Sequence, residues 1–198
     1  FSLEYAGNGE AVMVWKDAAV DDLRAQRFNI NMDMLWNESD ENKGRIICDA
    51  DGTQTKAKVT TFNDNVIITW KDLRNDSDGD IYAQIFNPSG NELLPENGVI
   101  ICDDPAQQVS PRVKTDGMYA YIYWEDKRNE VAGNSNVDPY VQKMDMNGNM
   151  LWTLNGVQVS DNQAEQIGVR MSPDQNGGAF FVWVDSRYAL LEEDTLNK

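Results

Sequence analysis

Asp76-Ser77-Asp78-Gly79-Asp80 sets three carboxylates at alternate positions around a glycine, the kind of oxygen cluster that calcium takes. It is not an EF-hand loop, because the glycine comes too early and the twelfth position is Asn87. The alternative is an ordinary acidic loop, and the third copy of the segment offers only Asn134, Asn136 and Asp138. Three bases, Lys58, Arg112 and Arg170, each stand four residues after a glutamine (Gln54, Gln108, Gln166), with Ser2 at the same position in the first copy. They read either as an anion site lining a channel or as partners for repeated carboxylates. Aspartate and arginine also recur two residues apart, as Asp72 with Arg74, Asp126 with Arg128 and Asp185 with Arg187, where they can brace a turn by charge-assisted hydrogen bonds. Asp17 begins the same pattern but has Ala19 where the arginine is expected.

The composition limits what such groups can do. The 198 residues carry 17 Lys and Arg against 33 Asp and Glu, a formal charge of −16, which repels phosphate backbones and makes nucleic acid an unexpected partner. No histidine is present, which removes Ser/His and Cys/His nucleophile pairs, His-ligated zinc and the commonest general base. Chemistry would fall to carboxylates, lysines and tyrosines, with no cofactor expected beyond a calcium ion at Asp76, Asp78 and Asp80. No apolar run approaches the roughly 18–20 residues that span a bilayer, so direct membrane insertion is not expected.

These residues belong to a repeat, which decides the fold before local propensity does. Trp15, Trp70, Trp124 and Trp183 lie 55, 54 and 59 residues apart, each followed two residues later by Asp17, Asp72, Asp126 or Asp185 and each preceded by an apolar run. Downstream, Asp22 to Gln26, Asp80 to Gln84 and Asp138 to Gln142 match, and ten residues after each glutamine comes Trp36, Leu94 or Trp152. Gly44, Gly98 and Gly156 then stand four residues before Cys48, Cys102 and Ser160. Residues at these fixed offsets specify a scaffold, so the tryptophans read as core wedges between sheets.

The runs before tryptophan are short, β-branched and apolar on both parities, as in a strand covered on both faces. Alternating segments upstream, the Asp-x-x-x-Gln segment and a short apolar segment after the glycine supply three more strands. Four strands per roughly 54 residues predict an all-β fold, a β-propeller-type array of four-stranded antiparallel blades with about three and a half repeats. One repeat domain over 1–198 is expected, with repeats at 1–56, 57–110, 111–168 and a partial 169–198, forming part of a longer chain. Asp194 to Lys198 can be laid on a further strand. Cys48 and Cys102 fall one blade apart, beyond the roughly 7 Å Cα limit of a disulfide, and should be buried singly.

The combined pattern of Trp70 to Arg74, Asp80-Ile81-Tyr82-Ala83-Gln84, and Gly-Asn-x-Leu followed by Leu94 or Trp152 resembles a repeat of large secreted surface proteins of Bacteroidota. The resemblance implies an extracellular or cell-surface location and export by the type IX secretion route, and it brings no catalytic residues with it. The expected function is a non-catalytic module that binds protein or glycan or spaces other domains. Its recognition edge would be the loops Ala18 to Asp21, Asn75 to Gly79 and Asn129 to Val137. Two alternatives are a carbohydrate-active domain using carboxylates, and a cargo or subunit of a larger surface assembly. A cleft with two carboxyl groups about 5–10 Å apart and free of arginine would favour the enzyme.

Overall fold

The computed structural model describes residues 1–36, 44–131 and 136–187. The described strands form three four-stranded antiparallel sheets and one of two strands, each sheet adding its strands in sequence order. The first is β1 (Ser2–Tyr5), β2 (Ala11–Lys16), β3 (Leu23–Phe28) and β4 (Arg45–Cys48). The second is β5 (Gln54–Phe62), β6 (Asn65–Asp72), β7 (Asp80–Phe86) and β8 (Val99–Cys102). The third is β9 (Gln108–Thr115), β10 (Ala120–Asp126), β11 (Asp138–Met144) and β12 (Val157–Gln158). The two-stranded sheet pairs β13 (Gln166–Pro173) with β14 (Ala179–Asp185). Each sheet is one repeat, so the all-β, blade-by-blade reading of the sequence holds. Asp194 to Lys198 lie outside the described residues, as does part of the Asn129 to Val137 loop.

A four-stranded sheet of this size cannot cover its own faces, and the apolar parity of β6 shows how the problem is solved. Val66, Ile68 and Trp70 pack against Val12 and Val14 of the preceding blade, while Ile67 packs against Val113, Ile122 and Trp124 of the next. The same pattern joins Tyr121, Tyr123 and Val141 to Val169, Phe181 and Trp183. Trp70 and Trp124 are wholly buried, whereas Trp15 and Trp183, on the first and last sheets, are only partly covered. Burying an indole of roughly 150–250 Å2 at about 25 cal/mol per Å2 is worth about 4–6 kcal/mol, so the inner interfaces dominate the packing. The first strands β1, β5 and β9 pack side by side from blade to blade, which makes them the convergent edge of the array.

Each first strand after β1 starts three residues ahead of the expected repeat starts at 57, 111 and 169, and each is bulged in the intervening stretch. Register shifts between Thr55 and Lys58 and between Ile167 and Arg170, and the third blade shifts opposite Tyr123 and Glu125. Lys56, Ser110 and Gly168 hold the corresponding backbone in the left-handed region, at φ 58°, 55° and 69°. Such a bulge turns the strand locally and re-aims the side chains that follow it.

Candidate functional site

The repeated Trp-x-Asp-x-Arg residues make one structural device. Asp72 closes β6 and accepts hydrogen bonds from Trp70 Nε1 at 2.7 Å, the Arg74 backbone N–H at 2.9 Å and Arg74 Nη2 at 2.6 Å. Asp126 is held in the same way by Trp124 and Arg128, and Asp185 by Trp183 and Arg187. The arginines stand in the turn after the strand rather than on its face, because the aspartate is the strand's last residue. Arg74 also lies 4.1 Å above the Tyr82 ring, which stacks on Trp70, and Arg128 repeats this over Tyr140 and Trp124. Burial alone would raise the Asp72 carboxyl, but the bonds from Arg74 and Trp70 outweigh it and hold it below the ordinary range.

The first copy lacks the motif arginine yet keeps a backbone N–H and a guanidinium on its aspartate. Arg24, at the position of Tyr82, reaches back from β3 so that its Nε meets Asp17 Oδ2 at 3.0 Å. The base has moved from the turn to the neighbouring strand, and the carboxylate is still neutralised.

Two other spacings find their cause. The buried glutamines Gln26, Gln84 and Gln142 each accept the backbone N–H of the residue ten positions on, Trp36, Leu94 and Trp152, and each donates to a carbonyl beside it. They pin the hairpin that follows the third strand. Gly98 faces Trp70, and a Cβ there would lie 2.6 Å from the indole and 2.7 Å from the Ala83 carbonyl oxygen. Its φ of +82° adds a second reason for glycine. Cys48 and Cys102 are unpaired and buried as expected, and burial pushes both thiols up to about 12.

The calcium reading gains no support from the arrangement of its carboxylates. Asp76 turns inward to accept the N–H groups of Asp78 and Gly79 at 2.9 and 2.6 Å, and Asp76 and Asp78 are exposed. Asp80 is buried at the start of β7, with Asn75 Nδ2 at 2.7 Å, and burial raises its carboxyl. Among the described residues no group of three or more acidic, Cys or His side chains is gathered for a metal. Asn134 lies outside the described residues, and Asp138 repeats Asp80, with Asn129 at 2.7 Å and Gln158 at 2.9 Å.

The groups that depart from the repeat meet between the third sheet and β13. Glu125 occupies the middle of its Trp-x-Asp motif, where the other copies have Lys16, Lys71 and Val184. Its Oε1 accepts the Gly168 N–H at 2.7 Å, while the Gly168 carbonyl accepts from Arg170 Nη1 at 3.0 Å. A carboxylate and a guanidinium therefore hold the two backbone polar groups of one bulged residue. Tyr123, two residues before Glu125, is the cross-strand partner of Arg112. Burial raises its phenol, and the positive charges of Arg112 and Arg170 act on it in the opposite direction.

Lys58, Arg112 and Arg170 occupy the same register on successive first strands, opposite Thr69, Tyr123 and Val182. The sequence left open whether they pair with repeated carboxylates. Among the described residues none of the three forms an ion pair, whereas Arg24, Arg27, Arg74, Arg128 and Arg187 all do. Lys58 borders a cavity of about 250 Å3 between the first and second sheets. Glu125 and Tyr123 were missed in the sequence, and their only signal there is that each breaks the symmetry of its position.

No protein-family model and no curated protein matches the sequence. Among solved structures, the chain is similar to an α-L-arabinofuranosidase from Fusarium graminearum in complex with an iminosugar inhibitor. The TM-score is 0.53 at 9% identity, over 91% of this chain and 60% of that one. An endo-arabinase from Bacteroides thetaiotaomicron gives a TM-score of 0.48 at 13% identity, over 90% of this chain and 67% of its own. An α-L-arabinanase from Penicillium chrysogenum complexed with arabinobiose gives 0.48 at 13%, over 89% and 58%. The chain thus spans about 60% of the length of the Fusarium enzyme. What is shared at such identity is the fold, a β-propeller built from four-stranded blades. The expectation of a non-catalytic binding or spacing module is corrected here. The fold it was assigned to is one on which an α-L-arabinofuranosidase is built.

Proposed function

We propose that this chain is part of a carbohydrate-active β-propeller that works on glycosidic bonds with carboxylates and without histidine. The observation that carries the reading is Glu125. The aspartates of the Trp-x-Asp motif are tied to arginine, but Glu125 has no basic partner among the described residues. It sits on β10 opposite the bulge of β9, on the strand next to the convergent edge, where the repeat symmetry breaks. Glycoside cleavage uses a pair of carboxyl groups flanking the scissile bond, and Glu125 is one member of that pair in this reading. The fold shared with an arabinofuranosidase makes arabinose-containing glycans the first substrates to try. A secreted or cell-surface protein meets such polymers, so the resemblance to Bacteroidota surface repeats and the type IX route belongs to the same proposal.

The test is release of reducing ends from a panel of glycans that includes arabinan. Cleavage by the parent, with Glu125→Gln slower by roughly a hundredfold or more at unchanged thermal midpoint, is expected for a general acid or base. If no glycan is either cut or bound, the reading fails.

A further inference from the structure

We propose that Lys58, Arg112 and Arg170 form a subsite for an anionic sugar unit, one carrying a carboxylate or a sulfate, along the convergent edge of the blades. The inference rests on the carbohydrate-active reading and names the substrate class it takes. Bases are scarce in this chain, 17 against 33 acids, so a carboxylate is within easy reach of most of them. The structure follows that expectation elsewhere: Arg24 crosses a strand to reach Asp17, Arg27 meets Glu10 at 2.6 Å, and Arg74 and Arg128 meet Asp72 and Asp126 at 2.6 and 2.7 Å. At the register shared by Lys58, Arg112 and Arg170 no carboxylate is supplied among the described residues.

Arg112 shows the consequence most clearly. Its Nε is buried and has no hydrogen-bond partner among the described residues, although a buried donor without a partner costs about 1–3 kcal/mol. Among the described residues Arg170 bonds only to the carbonyls of Gly168 and Val169, through a single nitrogen, which leaves most of its donor fork for another acceptor. Arg112 is the cross-strand partner of Tyr123, and Arg170 holds the same register on the next first strand, β13. Guanidinium groups repeated at one register match oxyanions held on sugar rings that also offer hydroxyls. Neutral sugars would leave both charges without a counterpart. Glu125 and Arg170 bond different groups of Gly168, its N–H and its carbonyl, and do not pair with each other.

Titration calorimetry of the protein with oligogalacturonides, with a sulfated dextran and with neutral arabinan tests this, each at low and at high salt. Arg112→Gln and Arg170→Gln are the variants, their folding checked by thermal midpoint, and Lys127→Gln, in the turn after β10, is the control for general charge. We expect an acidic glycan to bind, with each arginine variant roughly tenfold weaker and Lys127→Gln unchanged. Preference for the galacturonide identifies a carboxylate, and preference for the dextran a sulfate. Equal binding by the parent and both arginine variants overturns the subsite, and so does arabinan bound or cut with no acidic glycan bound. In that last outcome the carbohydrate-active reading survives. Acidic glycan bound through these arginines with no glycan cut leaves the subsite standing and removes the hydrolytic role.

Discussion

At the scale of single residues, the motif aspartate is the point on which each blade end is organised. It collects an indole N–H, a backbone N–H and a guanidinium, and the first copy shows that the guanidinium can arrive from two directions. This gives a sharp expectation for exchange. Arg24→Tyr alone should destabilise by about 3 kcal/mol, since it leaves a part-buried carboxylate without its cation. Adding Ala19→Arg in the same chain rebuilds the turn arrangement of the second and third blades, and should recover most of that loss in denaturant titration. A pH dependence follows from the same group. The Asp72 carboxyl lies below its ordinary value of 3.8 in the folded chain, so its contribution is fully present above that pH and disappears as the pH falls through the depressed native value. Asp80 and Asp138 are raised by burial and work in the opposite sense, penalising the fold above their native values. The gap in thermal midpoint between the parent and Asp72→Asn should therefore be widest near neutrality and close below about pH 4. A gap independent of pH would contradict the assignment.

At the scale of elements, the strands were legible because three or four copies of one pattern average out local ambiguity. The apolar runs before tryptophan became β2, β6, β10 and β14, and both faces are covered as their parity required on the inner strands β6 and β10. The ten-residue step from Gln84 to Leu94 was visible but unexplained, since its cause is a buried amide gripping a backbone that the sequence does not place beside it. The calcium reading gains no support from the fold for a related reason. Alternation puts Asp76, Asp78 and Asp80 close in sequence, but strand β7 begins at Asp80 and draws that carboxyl inward. The bulges left only a faint trace, a glycine at 168 where the other copies have Lys56 and Ser110. Because Ser110 holds φ 55° without being glycine, Ser110→Gly should be neutral or stabilising by up to about 1 kcal/mol, and Ser110→Val should destabilise. Denaturant midpoints would check both, and a Ser110→Val chain as stable as the parent would show that the bulge is not required.

At the scale of the whole molecule, the array is quasi-one-dimensional, with each blade covered by its neighbours. The second and third blades are enclosed on both sides, while Leu3 and Tyr5 on the first sheet and Phe180, Val182 and Val184 on β14 remain exposed. In the proposed reading, function lies at one place across two blades, where Tyr123 and Glu125 break the repeat near the repeated bases Arg112 and Arg170. The sequence hid that grouping, because its members lie up to 58 residues apart and only the stacking of blades joins them. The most direct test is amide hydrogen exchange with and without a saturating glycan found in the binding panel. Protection is predicted at the bulges of β9 and β13 and at the end of β10, with the outer strands β4, β8 and β12 unchanged. Protection confined to those outer strands would contradict the account.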